Sequence, residues 1–163
     1  MCRIILNNWK AIAAMSENCV IGINNSIPWN IPSEIQWFRQ KTSKQLLVMG
    51  NKTYESIKNK DNESIYVVLT TKKDSMQHEH NVIYINGINA INELRTDRQI
   101  WICGGAKVYE QTIQCCSELY LTVIKKHYVG DCYFPNYEDF FTLNEVIEDN
   151  EIFIIKHYIN KKY

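Results

Sequence analysis

Several short stretches of this chain set glycine, hydroxyl and cationic residues directly behind apolar runs. In CGGAKVY (103–109), two glycines follow the run Ile100-Trp101-Ile102. Glycines between a strand and a helix let backbone approach a ligand closely, and the helix start offers unpaired N–H groups to a phosphate or pyrophosphate. A plain tight turn is the other reading of Gly104-Gly105, and the GxGxxG fingerprint is absent. MGNKTYES (49–56) repeats the design: Gly50 closes an apolar run, and Lys52 and Thr53 fall on the first turn of a predicted helix. They suit a second phosphate, or else Lys52 is simply solvated and Thr53 caps the helix. LTTKK (69–73) adds two hydroxyls beside Lys72 and Lys73, which alone would be a solvated pair. Three such strand ends suggest a dinucleotide, with cations that would suit a 2′-phosphate.

Glu34 is the sharpest single residue, a lone carboxylate beside Ile35, Trp37 and Phe38 in the first turn of a predicted helix. It reads as a carboxylate complementing the helix dipole, worth about 0.3–1 kcal/mol. The functional reading is a carboxylate in an apolar pocket, its pKa raised by desolvation, able to grip paired N–H donors of a flat heterocycle; on the residues alone the helix-dipole reading is favoured.

The elements that must position these residues follow from the apolar spacing. KAIAAMS (10–16) is a strand, and the loop ENCVIGINNSIPWNIP follows it. Ser33 and Gln36 fit a capping box behind Pro32, predicting a helix to about Lys41. LLVMG (46–50), IYVVLTT (65–71), NVIYI (81–85), IWICGG (100–105) and LYLTVIKK (119–126) read as strands. NKTYESI, INAINELR (88–95) and AKVYEQTIQC read as helices, and FTLNEVIEDNEIFIIKHYI as two strands turning at Asp149-Asn150. The prediction is an α/β domain with a mixed, mostly parallel central sheet flanked by helices and closed by a C-terminal antiparallel hairpin. Ligands bind such sheets at the carboxyl ends of strands, here Met15–Asn30, Gly50–Tyr54, Thr70–Lys73 and Cys103–Tyr109.

Composition sets the outer limits. At 163 residues the chain is expected to form one domain, with residues 1–9 as an extension before the first strand. With 45% hydrophobic and 22% charged residues, disorder and coiled coil are excluded. No apolar run is long enough to span a bilayer, so no membrane partner is expected. Net charge is zero, which leaves no sequence-wide footprint for nucleic acid. The start MCRIILNN carries no secretory pattern, so the six cysteines read as free thiols in a reducing cytoplasm. His78, His80, His127 and His157 match no zinc spacing, and no metal is expected.

The segments AIAAMSENCVIGINNSIPWNIPSEIQWFRQKT, VMGNKTYESI, IYVVLTT, ICGGAKVYEQ, LYLTVI and GDCYFP, in this order, resemble dihydrofolate reductase over roughly residues 10–135. The patterns IGxxxxxPWxxPxExxxF and GGxxVY are the most specific parts of the match. The resemblance implies a monomeric enzyme that moves a hydride from NADPH to C6 of 7,8-dihydrofolate, with protonation at N5. Glu34 would be the single active-site carboxylate, Thr122 would support it, and Trp29 would hold a water near the proton path. Ile12, Ala14, Ile27, Ile35, Phe38, Ile57 and Cys103 would line the pterin site. Residues 16–30 would form the loop over the nicotinamide, with Ile27 at its tip and Ile21 and Gly22 near the ring. Gly104, Gly105, Ala106, Lys107 and Val108 would form the pyrophosphate turn, with Cys103 and Tyr109 beside it and Ala14 shared with the pterin site. Gly50, Asn51, Lys52 and Thr53 would meet phosphate, and Leu69, Thr70, Thr71 and Lys72 the adenosine end.

Two segments depart from the family pattern. After ESI the family usually carries an apolar residue and, three positions later, an arginine for the α-carboxylate of folate's tail. Here KNKDNES (58–64) puts Asp61 and Ser64 in register, leaving Lys58 and Lys60 as the nearby cations. Asn51 and Lys107 stand where many relatives have arginines. The first departure keeps open an NADPH-dependent reductase of a pterin with a different tail. A relative that binds pterin or nucleotide without turnover is opposed by Glu34, Trp29 and Gly104-Gly105 occurring together.

Overall fold

The computed structural model describes residues 7–72 and 79–163. Its centre is an eight-stranded sheet in the order β5-β4-β3-β6-β1-β7-β10-β9. The strands are β1 (Asn7–Ser16), β3 (Leu46–Gly50), β4 (Ile65–Leu69), β5 (Val82–Ile85), β6 (Ile100–Ile102), β7 (Cys116–Ile124), β9 (Phe141–Asp149) and β10 (Phe153–Asn160). The first six pair in parallel, while β10 runs antiparallel to both β7 and β9. The helices are α1 (Pro32–Thr42), α2 (Asn51–Ser56) and α3 (Ala106–Thr112). This is the mostly parallel mixed sheet with a terminal antiparallel hairpin that the alternating pattern predicts.

Alternation along β1 divides the core. Trp9, Ala11, Ala13 and Met15 enter the main cluster with Leu46, Val48, Ile102, Leu119 and Leu121. Ile12 points to the other face, against Trp101, Tyr120, Trp37 and Phe38. That second face carries α1 and therefore Glu34. On the main-core face the small residues Ala11 and Ala13 share a cluster with Val108 and Tyr109 of α3.

Several boundaries differ from the sequence reading. β1 begins at Asn7, so residues 7–9 belong to the sheet, through Asn7↔Cys116 and buried Trp9. Residues 1–6, Lys73 and His78 lie outside the described residues. The Ser33–Gln36 capping box does not form: α1 starts at Pro32 behind Ile31, with no side-chain cap, because Pro at the first helical position draws Ser33 inside the helix. β4 stops at Leu69, which frees Thr70 and Thr71 for the loop. Residues Ile88–Glu93 form a 3-10 helix rather than an α-helix, behind Gly87 at φ +100°. A second sheet, β2 (Val20–Gly22) with β8 (Cys132–Tyr133), joins the loop after β1 to the segment after β7.

Candidate active site

Glu34 occupies the first full turn of α1, which leans over the carboxyl ends of β1 and β7. Across from it Thr122 is buried at 1% exposure, paired in register with Ala14 and Ile155. The Thr122 hydroxyl donates to the Glu34 carboxylate. Burial pushes the pKa of Glu34 from 4.5 up to about 7, and the Thr122 hydrogen bond partly offsets that rise. Desolvation therefore outweighs the hydrogen bond, and the carboxyl is poised to exchange a proton at neutral pH.

The apolar residues read for this site fall on β1, α1 and the segments that follow β1, α2 and β6. Ile12 is buried beneath α1, and Phe38 and Cys103 pack with it. Ile57, just past α2, packs on the neighbouring cluster of Leu47, Met49 and Tyr66. Burial also raises the Cys103 thiol pKa, so this sulfur stays protonated and serves as wall. Ile35 is 40% exposed and Ile27 61% exposed, both on the open side.

The loop after β1 is built from local polar contacts. The Ser16 hydroxyl donates to Asn18 Oδ1 at 2.6 Å and accepts from the Val20 N–H. Asn18 and Tyr128 exchange hydrogen bonds, side-chain amide to carbonyl and N–H to Oδ1. Ile23 and Ser26 exchange both backbone bonds around Asn24 and Asn25 at φ +48° and +60°, a two-residue hairpin that asparagine tolerates. The Asn24 N–H donates to Asp131 Oδ2 at 3.0 Å, and the Asp131 N–H to Gly22 O at 3.0 Å. Trp29 closes the loop against Ile124, Phe153 and Ile155, with its ring 5.2 Å from Tyr128. Ile21 packs on the main core rather than standing free.

The glycine-rich strand ends converge. The Gly50 N–H donates to Gly104 O at 2.9 Å, and the Cys103 N–H to Val48 O at 2.8 Å. Gly104 has φ +106° and joins Gly105 through a cis peptide. A Cβ on Gly104 would lie 3.0 Å from the Tyr109 ring, and one on Gly105 would lie 3.4 Å from Thr53 Oγ1. Tyr109 in turn donates to Ile12 O at 2.6 Å and packs edge-on against Phe134. Leu69 pairs with Gly50, which brings Thr70, Thr71 and Lys72 to the same end of the sheet. Thr70 Oγ1 accepts the Lys72 N–H at 3.1 Å, and its own N–H donates to Ile85 O. Lys52 and Lys107 are exposed beside these turns, with Ala106 and Val108 on the first turn of α3. Asn51 is engaged with Glu55 Oε1 at 2.9 Å.

The sequence reading uses GDCYFP for the resemblance but assigns no individual role to Gly130 or Asp131. Gly130 and Asp131 sit inside the GDCYFP segment, whose glycine signals a close backbone approach. A broad hollow of about 590 Å³ opens at the opposite, amino end of the sheet, between Trp9, Gln45, Leu94 and Gln99. It holds none of the residues above. Among the described residues, no group of His, Cys, Asp or Glu is placed to hold a metal, and no helix is long and apolar enough to cross a membrane.

A parallel-centred α/β sheet with glycine turns at adjoining strand ends and a desolvated carboxylate beside them is the arrangement of a nucleotide-binding α/β domain. The dihydrofolate reductase family model matches residues 8–155. Dihydrofolate reductase of Buchnera aphidicola subsp. Baizongia pistaciae is 42% identical over 132 residues, covering 80% of this chain and 79% of that protein. The enzyme of Mycoplasma genitalium is 37% identical over 158 residues, covering 93% and 98%. The solved dihydrofolate reductase from Enterococcus faecalis, complexed with NADP(H) and RAB-propyl, superposes with a TM-score of 0.82 at 25% identity, covering 94% of this chain and 96% of that one. The chain belongs to the dihydrofolate reductase family.

Proposed function

We propose that this protein reduces 7,8-dihydrofolate to 5,6,7,8-tetrahydrofolate at the expense of NADPH. The single observation that carries the reading is Glu34, a lone desolvated carboxyl held by Thr122 at the strand ends, with a pKa near neutrality. A carboxylate there pairs with the amino group and ring N–H of a pterin, and its proton inventory favours protonation at N5. Protonation makes C6 a better hydride acceptor, so the interaction strengthens on the way to the transition state.

The residues present fit the cofactor. Gly104 and Gly105 leave a cradle that a Cβ would close toward Tyr109 and Thr53. Ala106, Lys107 and Val108 follow at a helix start, while Lys52, Thr53, Thr70, Thr71 and Lys72 supply hydroxyls and cations for phosphate. Bound NADPH supplies the hydride. Ala14, Ile21, Gly22 and Tyr109 shape the space where its ring would lie, and Cys103 forms the partition toward the pterin side. Ile12, Phe38 and Ile57 wall the site, and Ile27 and Ile35 on the open side would cover a bound ring, so that water is excluded around Glu34 and its polar contacts are strengthened. Trp29 anchors the loop and holds a water on the proton path. The chain works as one domain, as a monomer, in the cytoplasm.

The test is NADPH oxidation followed by absorbance with dihydrofolate, for the parent and Glu34→Gln. Parent activity with a loss of about 10²–10⁴ in the variant at neutral pH supports the reading. A variant as active as the parent would remove Glu34 from the acid role.

A further inference from the structure

A second polar cluster lies near the last turn of α1, with His157 of β10 at its centre. His157 is 8% exposed, so protein groups rather than water set its hydrogen bonds. Its ring stacks on Tyr120 of β7, its register partner, at 4.3 Å and 17°. Nε2 meets Glu118 Oε2, also on β7, at 2.8 Å. Lys10 on β1 reaches Glu118 Oε1 at 3.2 Å, and Tyr120 donates to Oε2 at 2.9 Å. Burial alone would raise the Glu118 carboxyl, but the hydrogen bonds from Tyr120, Lys10 and His157 together hold it below the ordinary carboxylate range. Lys41 on α1 approaches from the helix, its Nζ 4.4 Å from the centre of the Tyr120 ring. The other ring nitrogen of His157 has two partners within reach, because β9 bulges here. His157 pairs with Glu145 and Tyr158 with Leu143, so Asn144 is the extra residue, and such a bulge sets two consecutive residues against one. Asn144 Nδ2 lies 3.1 Å from His157 Nδ1, and Glu145 Oε1 lies 3.6 Å from the same atom.

The two partners suit different protonation states. An ionised carboxylate only accepts, so Nε2 carries a proton towards Glu118 in either state. In the neutral ring Nδ1 is then a bare acceptor, which the Asn144 amide satisfies and the Glu145 carboxylate cannot. In the imidazolium Nδ1 is a donor, which matches Glu145 and sets donor against donor at Asn144. Both side chains are exposed, so an exchange of partner needs only rotations at the edge strand. Histidine is the side chain whose charge ordinarily changes between pH 5 and 8. We propose that His157 is a pH-dependent latch at the sheet edge, bonded through Nδ1 to Asn144 when neutral and to Glu145 when protonated. Glu118 is the fixed end in both states, so the latch joins β7, β10 and β9. The inference is independent of the proposed reductase activity.

The experiment is thermal melting at pH 5.5 and pH 8.5 of the parent, Glu145→Gln and Asn144→Ala, with both substitutions repeated in a His157→Gln background. Titration of Glu34 is common to every comparison and cancels. Glu145→Gln should melt about 1–3 °C below the parent at pH 5.5 and level with it at pH 8.5. Asn144→Ala should show the reverse, a loss of about 1–3 °C at pH 8.5 that disappears at pH 5.5. Both pH dependences should vanish in the His157→Gln background. Long-range 1H–15N spectra of the parent should show His157 as the Nε2–H tautomer at pH 8.5. Losses equal at the two pH values, pH dependences that survive without the imidazole, or an Nδ1–H tautomer at pH 8.5 would each overturn the latch.

Discussion

The Thr122 hydroxyl and the Glu34 carboxyl meet from two elements far apart in sequence, the carboxyl end of β7 and the first turn of α1. The hydroxyl stabilises the charged carboxylate while burial destabilises it, and burial is the larger effect. With a free-enzyme pKa of about 7, kcat/KM is expected to fall roughly tenfold per pH step above neutrality. Thr122→Val removes only the stabilising contact, so that falling limb should move to higher pH. An unmoved limb in Thr122→Val would show that another group sets the profile. The measurement is kcat/KM against pH for both proteins.

The same carboxyl has a stability cost. A folded pKa of about 7 against 4.5 means that the folded state binds more protons than the unfolded one between these pH values. Stability therefore falls as pH rises through that window, by about 3 kcal/mol at most, and the loss is complete above it. Glu34→Gln removes the titration. The ligand-free variant should melt higher than the parent at pH 8, and the difference should shrink toward pH 5. Melting curves at both pH values decide it, and a variant equally or less stable at pH 8 would mean that Glu34 is better solvated than its position implies.

What was legible in the sequence was local chemistry on regular elements. Gly104, Gly105 and Thr53 were readable because each junction follows directly from an apolar run and a change of period, whereas Glu34 follows a polar loop and took its role only from the resemblance. The capping box was misread because Ser33 and Gln36 have the right spacing, yet Pro32 already occupies the first helical position. The pairing of β2 with β8 was not readable, because three residues and two residues far apart in sequence carry no periodic signal of their own. The contact between α1 and the loop after α2 was unreadable for a related reason, since only the fold brings Arg39 Nη2 to Lys58 O and folds Asp61 and Ser64 into each other.

Gly130 tests the non-local pairing. A Cβ there would lie 2.2 Å from Val20 Cγ1 and 2.6 Å from Gly22 O, the second a backbone atom that cannot rotate away. Gly130→Ala must push the loop after β1 off the segment after β7, at a cost of about 1–3 kcal/mol. That corresponds to a Tm lower by roughly 2–12 °C for a chain of this size. Because Asp131 holds Asn24 next door, KM for NADPH should rise as well. A variant with parental Tm and KM would show that the loop does not need this contact.

The diglycine turn separates shape from hydrogen bonding. Tyr109 contributes both, since its hydroxyl reaches Ile12 O at 2.6 Å while its ring covers Gly104. Tyr109→Phe keeps the ring and loses the bond, leaving one buried carbonyl with a partner fewer. The expected effect is about 1–2 kcal/mol of stability and a Tm lower by a few degrees, with KM for NADPH close to parental. Gly104→Ala acts on the turn itself. At φ +106°, with the ring 3.0 Å from the new methyl, the chain can accept the substitution only by moving the turn or Tyr109. Cofactor affinity should therefore fall by an order of magnitude or more in Gly104→Ala and hardly at all in Tyr109→Phe. Titration of NADPH into each variant distinguishes the two, and equal losses would mean that the hydrogen bond to Ile12, rather than the open backbone, shapes the cofactor site.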